Sequence, residues 1–183
     1  LHGPALLVDS GLDLNDPFPC QVDGPGIVEG LAVLHRPIGV DEEHEGVSPV
    51  LEGVRLAVEE LNRQGGLLGR PVELLEFDNQ STALGSKIAA RQVVESGAVT
   101  IIGASYSNHS MAMAPIFQAA GIPMISPYST HPDVTRAGDY IFRICFTDSF
   151  QGKILAGFAR QHLKTKTAGV MINADLSYSE GLG

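Results

Sequence analysis

The chain has 183 residues, of which 44% are hydrophobic, so it is long and apolar enough to bury a core. Its formal net charge of −9 argues against nucleic acid and anionic membrane surfaces as partners. No apolar segment reaches the ~18 residues that span a bilayer. Residues 1–10 lack the charged start and apolar core of a secretory signal, so we expect any export signal to be absent from this sequence.

The first 36 residues differ in character from the rest of the chain. They contain four prolines and five glycines. These residues interrupt any helical or alternating pattern of apolar residues. We therefore predict that segment 1–36 is irregular and lies outside the fold. A short first strand is predicted at 37–40, and the acidic patch at 41–45 is interpreted as a solvated loop.

From Val50 onward the pattern becomes regular. Apolar residues at helical spacing predict a helix over 50–64 that Gly65–Gly66 ends. Ser81 or Thr82 can cap the next helix, which Gly97 stops, and Thr147 or Asp148 can cap the helix that begins near Ser149. The further predicted helices are 82–96, 111–120 and 149–163, and the predicted strands are 71–77, 99–102, 123–125, 140–144 and 168–172. This alternation with short connections predicts an α/β fold, with a parallel sheet and helices on both faces.

Dense polar clusters follow two consecutive predicted strands. Residues 105–110 follow strand 99–102, and residues 126–130 follow strand 123–125. Ligands of open α/β sheets bind outside the carboxyl ends of the strands, so these clusters predict a small-molecule site. A helix beginning near Ser107 would offer free N–H groups to a carboxylate. The remaining candidate contacts are the hydroxyls of Ser129 and Thr130 and an apolar wall from Tyr106 and Tyr128.

Other interpretations of the same residues stay open. The hydroxyls could simply satisfy local backbone groups, and Ser107 with His109 or His131 could form a hydrolase pair. The sequence contains no GxSxG, no GxGxxG after a first strand and no phosphate-binding loop. Cys20 and Cys145 are expected to be unpaired thiols, with a disulfide as the alternative, and we expect neither a metal nor a cofactor.

Four motifs in unbroken order resemble the type I periplasmic binding proteins. They are NRQGGLLGRP after the first helix, DNQST, ISPYST and DSFQG. Over about residues 50–183 the sequence is most similar to the leucine/isoleucine/valine-binding proteins, which are substrate-binding components of ABC transporters. The resemblance implies two α/β lobes, joined by a hinge, that close around an amino acid or similar ligand.

The resemblance also implies roles for individual residues. Ser107 and Thr130 would offer hydroxyls to the ligand, and Tyr128 and Ser129 mainly backbone groups. Tyr178 would cover the ligand from the second lobe, and Asp148 would lie at the crossing between the lobes. The implied division of the chain is 1–36, an atypical segment; 37–146, the first lobe; and 147–183, the crossing and the incomplete start of the second lobe.

The expected function is therefore that of an extracytoplasmic solute-binding protein, periplasmic or extracellular, without catalytic activity. Its partners would be an amino acid, an ABC permease and its ATPase, with no nucleic acid and no membrane insertion. One alternative is a sensor of the same fold for amides, urea or aromatic acids, and another is the hydrolase that uses Ser107. Because the second lobe is incomplete, we expect residues beyond the crossing to be poorly ordered on their own.

Overall fold

A computed structural model describes residues 28–35 and 49–182. The strands are β1 (Val28–His35), β2 (Val72–Asp78), β3 (Thr100–Ile102), β4 (Met124–Ser126) and β5 (Ile141–Arg143). The helices are α1 (Pro49–Arg63), α2 (Ala83–Ser96), α3 (Ser107–Ala120), α4 (Asp148–Gln161) and α5 (Ser177–Leu182), with a 3-10 helix at Pro132–Ala137 between β4 and β5.

The five strands form one parallel sheet in the order β2-β1-β3-β4-β5. This confirms the predicted α/β class. Strand β4 lies between β3 and β5, and Met124 is opposite both Ile101 and Ile141. Because β3 and β4 are adjacent and parallel, the two polar segments that follow them emerge at the same edge of the sheet.

The first strand lies where the sequence analysis expected no structure. Strand β1 occupies Val28–His35 and pairs with both β2 and β3, so the prediction of an irregular segment is wrong for these eight residues. The short apolar run 31–34 is typical of a central parallel strand, and the register shifts between Val28 and Leu31, a stretch that contains Gly30. The predicted strand 37–40, the acidic loop 41–45 and Cys20 lie outside the described residues.

The core lies between helices α2 and α3 and the sheet. Small residues such as Ala89, Ala90 and Ala114 let the two helices approach closely, and Phe117 and Met113 fill the space above the strands. These side chains are all fully or almost fully buried. The apolar spacing that predicted a helix over 111–120 therefore marks a core-facing stripe, and α3 itself begins four residues earlier.

The helix ends follow local sequence signals. The Thr82 hydroxyl accepts a hydrogen bond from the Gly85 N–H at 2.8 Å, and Thr147 caps α4 by accepting from the Phe150 N–H. Helix α2 ends at Gly97, whose φ of 78° lies in the left-handed region that glycine adopts freely. The predicted caps and the predicted stop are thus confirmed, and the structure selects Thr82 and Thr147 from the alternatives.

The carboxyl-terminal part of the chain departs from the predicted pattern. Helix α4 is present, but residues 168–172 are exposed and form no strand, so that prediction is wrong. A strand needs a hydrogen-bonding partner, and none of the described strands pairs with this segment. Helix α5 follows this segment at Ser177–Leu182. None of the described helices is both long and apolar enough to cross a bilayer.

Phe117 provides a direct test of this core. The Phe117→Ala substitution should lower the free energy of unfolding by about 3–5 kcal/mol, because it leaves a cavity under α3. The measurement is urea unfolding followed by circular dichroism. Phe142→Ala is the matched control, since Phe142 in β5 is 49% exposed, and equal losses in the two variants would contradict the described packing.

Candidate functional site

The amino terminus of α3 faces the segment that follows β4. Ser107 is the first residue of the helix and is only 3% exposed, and its Oγ accepts a hydrogen bond from the His131 backbone N–H at 3.2 Å. The preceding residue, Tyr106, makes no side-chain cap. The first N–H groups of a helix have no intrahelical acceptor, so this end of α3 carries donors and partial positive charge. Such an end suits a carboxylate.

Three buried serines converge on a single carbonyl beside this helix. The Ala104 carbonyl accepts hydrogen bonds from the hydroxyls of Ser110 at 3.1 Å, Ser126 at 2.7 Å and Ser129 at 3.1 Å. The hydroxyls of Ser110 and Ser129 are also 2.7 Å apart. The three serines come from α3, β4 and the segment after β4, so their hydrogen bonds fix the two polar segments relative to each other.

Arg143 in β5 organises the segment after β4 from the other side. Its guanidinium donates to the carbonyls of Ser129 at 3.0 Å, His131 at 2.8 Å and Pro132 at 3.0 Å. A fourth hydrogen bond, of 2.8 Å, reaches the hydroxyl of Thr135. The planar fork of a guanidinium suits such a set of converging acceptors. The sequence analysis did not identify this residue, because a lone arginine in a strand carries no local signal.

Ser129 has little capacity left for a ligand. Its hydroxyl belongs to the cluster on Ala104, its N–H donates to the Ser126 hydroxyl at 3.0 Å, and its carbonyl accepts from Arg143. Its N–H is therefore occupied, and only acceptor lone pairs on its carbonyl and hydroxyl oxygens are left. The alternative in which these hydroxyls satisfy local backbone groups therefore describes Ser129 well, and its role in binding stays a prediction.

Thr130 and Asp148 have buried polar atoms without partners. Thr130 is 7% exposed and Asp148 0%, and the Asp148 N–H donates to the Thr130 carbonyl at 2.9 Å. Within the described part of the chain, the only buried side-chain nitrogen or oxygen atoms that lack a hydrogen bond are Thr130 Oγ1 and both carboxylate oxygens of Asp148. Buried polar groups are nearly always paired, so these atoms mark a place where another group can bind.

Helix α5 lies beside Asp148 and His131. A Cβ added to Gly181 would lie 2.8 Å from Asp148 Oδ2 and 2.8 Å from His131 Cδ2, so a side chain at this position would displace one of these groups. His131 Nδ1 accepts a hydrogen bond from the Asp133 N–H at 3.2 Å, which places the proton of the neutral ring on Nε2. His131, which the sequence analysis considered only as a hydrolase partner, therefore borders the site.

The three tyrosines predicted as ligand contacts are exposed. Tyr106 and Tyr128 lie at the surface, and the Tyr106 ring makes an edge contact with His109 at a centroid distance of 5.4 Å. Tyr178 lies on α5 and is also exposed. The structure thus brings together Ser107, Thr130 and Asp148, with Ser129 as support, but does not gather the tyrosines around them. Their roles in binding stay predictions.

The geometry does not support a hydrolase. The Ser107 hydroxyl is bonded to the backbone N–H of His131 and not to an imidazole. The His109 ring is buried and bonded to the Ser81 backbone; burial lowers the pKa of His109, and this hydrogen bond partly opposes the effect. The nucleophile–base contact that such catalysis requires is therefore missing among the described residues.

Comparison with known proteins gives a consistent result. The model of the family described as periplasmic binding protein matches residues 45–182. The chain is 29% identical over 131 residues to the leucine-, isoleucine-, valine-, threonine- and alanine-binding protein of Pseudomonas aeruginosa, a match that covers 71% of this chain and 35% of that protein. It is 30% identical over 131 residues to the leucine-specific-binding protein of Salmonella typhimurium, with the same shares covered.

Solved structures agree with these sequence matches. The leucine-binding protein LivK of Thermotoga maritima has 34% identity and a TM-score of 0.71, over 85% of this chain and 43% of that one. The transporter substrate-binding protein LivJ of Streptococcus pneumoniae, in complex with isoleucine, has 26% identity and a TM-score of 0.74, over 86% and 44%.

The fold, the site and these matches show that the chain belongs to the periplasmic binding protein family. The relatives matched here are named as binding proteins for amino acids or for leucine, or as a transporter substrate-binding protein. The chain spans about a third of the length of the curated relatives named here.

Arg143 allows a test of how the site is held. Arg143→Lys keeps the charge but loses the planar fork, so we expect the free energy of unfolding to fall by about 2 kcal/mol or more. Thermal and urea unfolding measure this loss. Arg136→Lys is the control, because Arg136 makes an exposed ion pair with Asp133 and should change stability by less than about 0.5 kcal/mol. Equal behaviour of the two variants would contradict the role given to Arg143.

Proposed function

We propose that this chain forms the first ligand-binding lobe of an extracytoplasmic solute-binding protein, which captures an amino acid for uptake by an ABC transporter. The proposal rests on two neighbouring features of the site, one of which suits an anion and the other a cation. The α3 amino terminus at Ser107 suits an anion, and the unpartnered carboxylate of Asp148 suits a cation. An amino acid zwitterion carries both groups.

The relatives support the same ligand class. The names of these relatives specify leucine, isoleucine, valine, threonine and alanine, and the LivJ structure contains isoleucine. Neutral amino acids share the carboxylate and the ammonium group that the site can bind, whereas their side chains differ. Ser107 and Thr130 are therefore assigned to the common part of the ligand, and Tyr128 and Tyr178 to contacts with its variable part.

The transport role implies two partners and a location. An ABC permease and its ATPase would receive the ligand, and the protein would work in the periplasm or outside the cell. Family membership supports these assignments.

Ligand binding can be tested with the 183-residue chain in a thermal-shift experiment with millimolar leucine, isoleucine and valine. A ligand that binds only the folded state raises Tm by mass action, so we expect a positive shift. Isothermal titration calorimetry should then show about tenfold weaker binding of the same amino acid by Thr130→Val, which removes a hydroxyl that has no internal partner.

Thr167→Val is the matched control, because Thr167 is exposed and distant in sequence from the polar clusters. It should bind as the parent chain does. A cooperative thermal transition that none of these amino acids shifts would contradict the proposed ligand class. Equal affinities of the parent chain and Thr130→Val would remove Thr130 from the site while leaving the ligand class in place.

A further inference from the structure

We propose that the outer surface of helices α2 and α3 is an interface at which two copies of this chain associate about a two-fold axis. The surface lies toward the carboxyl ends of both helices and is separate from the ligand site. Ile116, which belongs to it, is about 14 Å along the axis of α3 from Ser107. Association at this surface therefore leaves the ligand site open and does not depend on the identity of the ligand.

A shallow groove of about 330 Å³ lies between the two helices. Its lining residues are Arg91, Val94 and Glu95 of α2 and Ile116, Ala119 and Ala120 of α3. Val94 and Ile116 also pack against the buried core, so the apolar part of the groove rests on a rigid support. An apolar depression of this kind suits the apolar side chain of a partner.

Helix α2 presents two exposed apolar side chains next to this groove. Leu84 is 69% exposed and Ile88 is 50% exposed. With Arg91 and Glu95 they follow one another at intervals of four, three and four residues, which places all four on one stripe of the helix. The amino-terminal half of this stripe is apolar, and the carboxyl-terminal half is charged and borders the groove.

The two charged residues of the stripe are available to an external partner. In the part of the chain that the structure describes, neither Arg91 nor Glu95 makes an ion pair or a side-chain hydrogen bond. On α1 the pair Glu59 and Arg63 does form, at 3.0 Å, with the acid before the base. The order on α2 is the reverse and is less favourable within a helix. Glu95 also lies in the last turn of α2, which has no basic residue to offset the negative end of the helix dipole.

A second copy of the chain supplies each group that this surface can bind. With the two α2 helices antiparallel, Leu84 and Ile88 of each copy lie over the groove of the other. Arg91 of each copy then pairs with Glu95 of the other, as an isologous interface requires. Helix α2 carries two cations, Lys87 and Arg91, against one acid, whereas the whole chain has a net charge of −9. Repulsion between copies is therefore weakest at a surface of this composition.

The charged pair allows a test by charge reversal. Sedimentation equilibrium of the 183-residue chain should show monomers and dimers with a Kd of about 10–100 μM, because the contact is small. Arg91→Glu and Glu95→Arg should each raise this Kd at least about tenfold, since each places like charges opposite one another. An equimolar mixture of the two variants should associate as the parent chain does, because the mixed dimer restores two pairs of opposite charge.

The apolar half of the stripe allows a second test. Ile88→Ser should also raise the Kd of the dimer at least about tenfold, because the groove of the second copy loses its apolar occupant. Ile154→Ser is the matched control, since Ile154 on α4 is 57% exposed and Ile88 is 50% exposed. Helix α4 exposes further apolar side chains and is thus the competing surface. The control should change the Kd by less than about twofold.

Each outcome supports or overturns the inference. A parent chain that stays monomeric up to about 500 μM would overturn it, and so would a mixture of the two charge variants that fails to associate. Loss of association in Ile154→Ser but not in Ile88→Ser would assign the contact to α4 and would overturn it as well. All of these results leave the proposed function in place, because the substituted residues lie outside the polar clusters.

Discussion

The shape of the site depends on the hydrogen bonds that the Arg143 guanidinium makes to the segment after β4. Three backbone carbonyls and one hydroxyl accept from this one side chain. They hold the backbone on both sides of Thr130 so that its neighbour His131 meets Ser107. The segment between β4 and the end of the 3-10 helix gains a fixed geometry because one charged, planar donor bonds several of its acceptors.

The serine cluster makes the complementary connection. Parallel pairing of β3 with β4 brings two polar segments to one edge, and the Ala104 carbonyl joins them by accepting from serines of both. Such a network is favourable only when its members are paired, and these hydroxyls are. The polar residues of the site therefore fall into two groups, a satisfied scaffold and the unsatisfied pair Thr130 and Asp148.

The two groups of residues contribute differently to the stability of the fold and to the binding of a ligand. The scaffold serines and Arg143 stabilise the fold through hydrogen bonds that are complete without a ligand. The Asp148 carboxylate costs free energy in the same fold, since it is buried without a partner. Residues that a fold tolerates at such a cost are concentrated at functional sites. Helix α5, which places Gly181 against Asp148, adds a contact from the carboxyl-terminal part of the chain.

The sequence by itself determined most of the alternation of helices and strands, the approximate starts of α2 and α4 and the two polar clusters, because these depend on neighbours a few residues away. Tertiary structure decided the rest. Strand β1 became part of the sheet through pairing with β2 and β3 although it contains Gly30. Residues 168–172 formed no strand because none of the described strands pairs with them. The hydrogen bonds donated by Arg143 and the burial of Asp148 could not be predicted either. Both depend on contacts that exist only after the sheet has assembled.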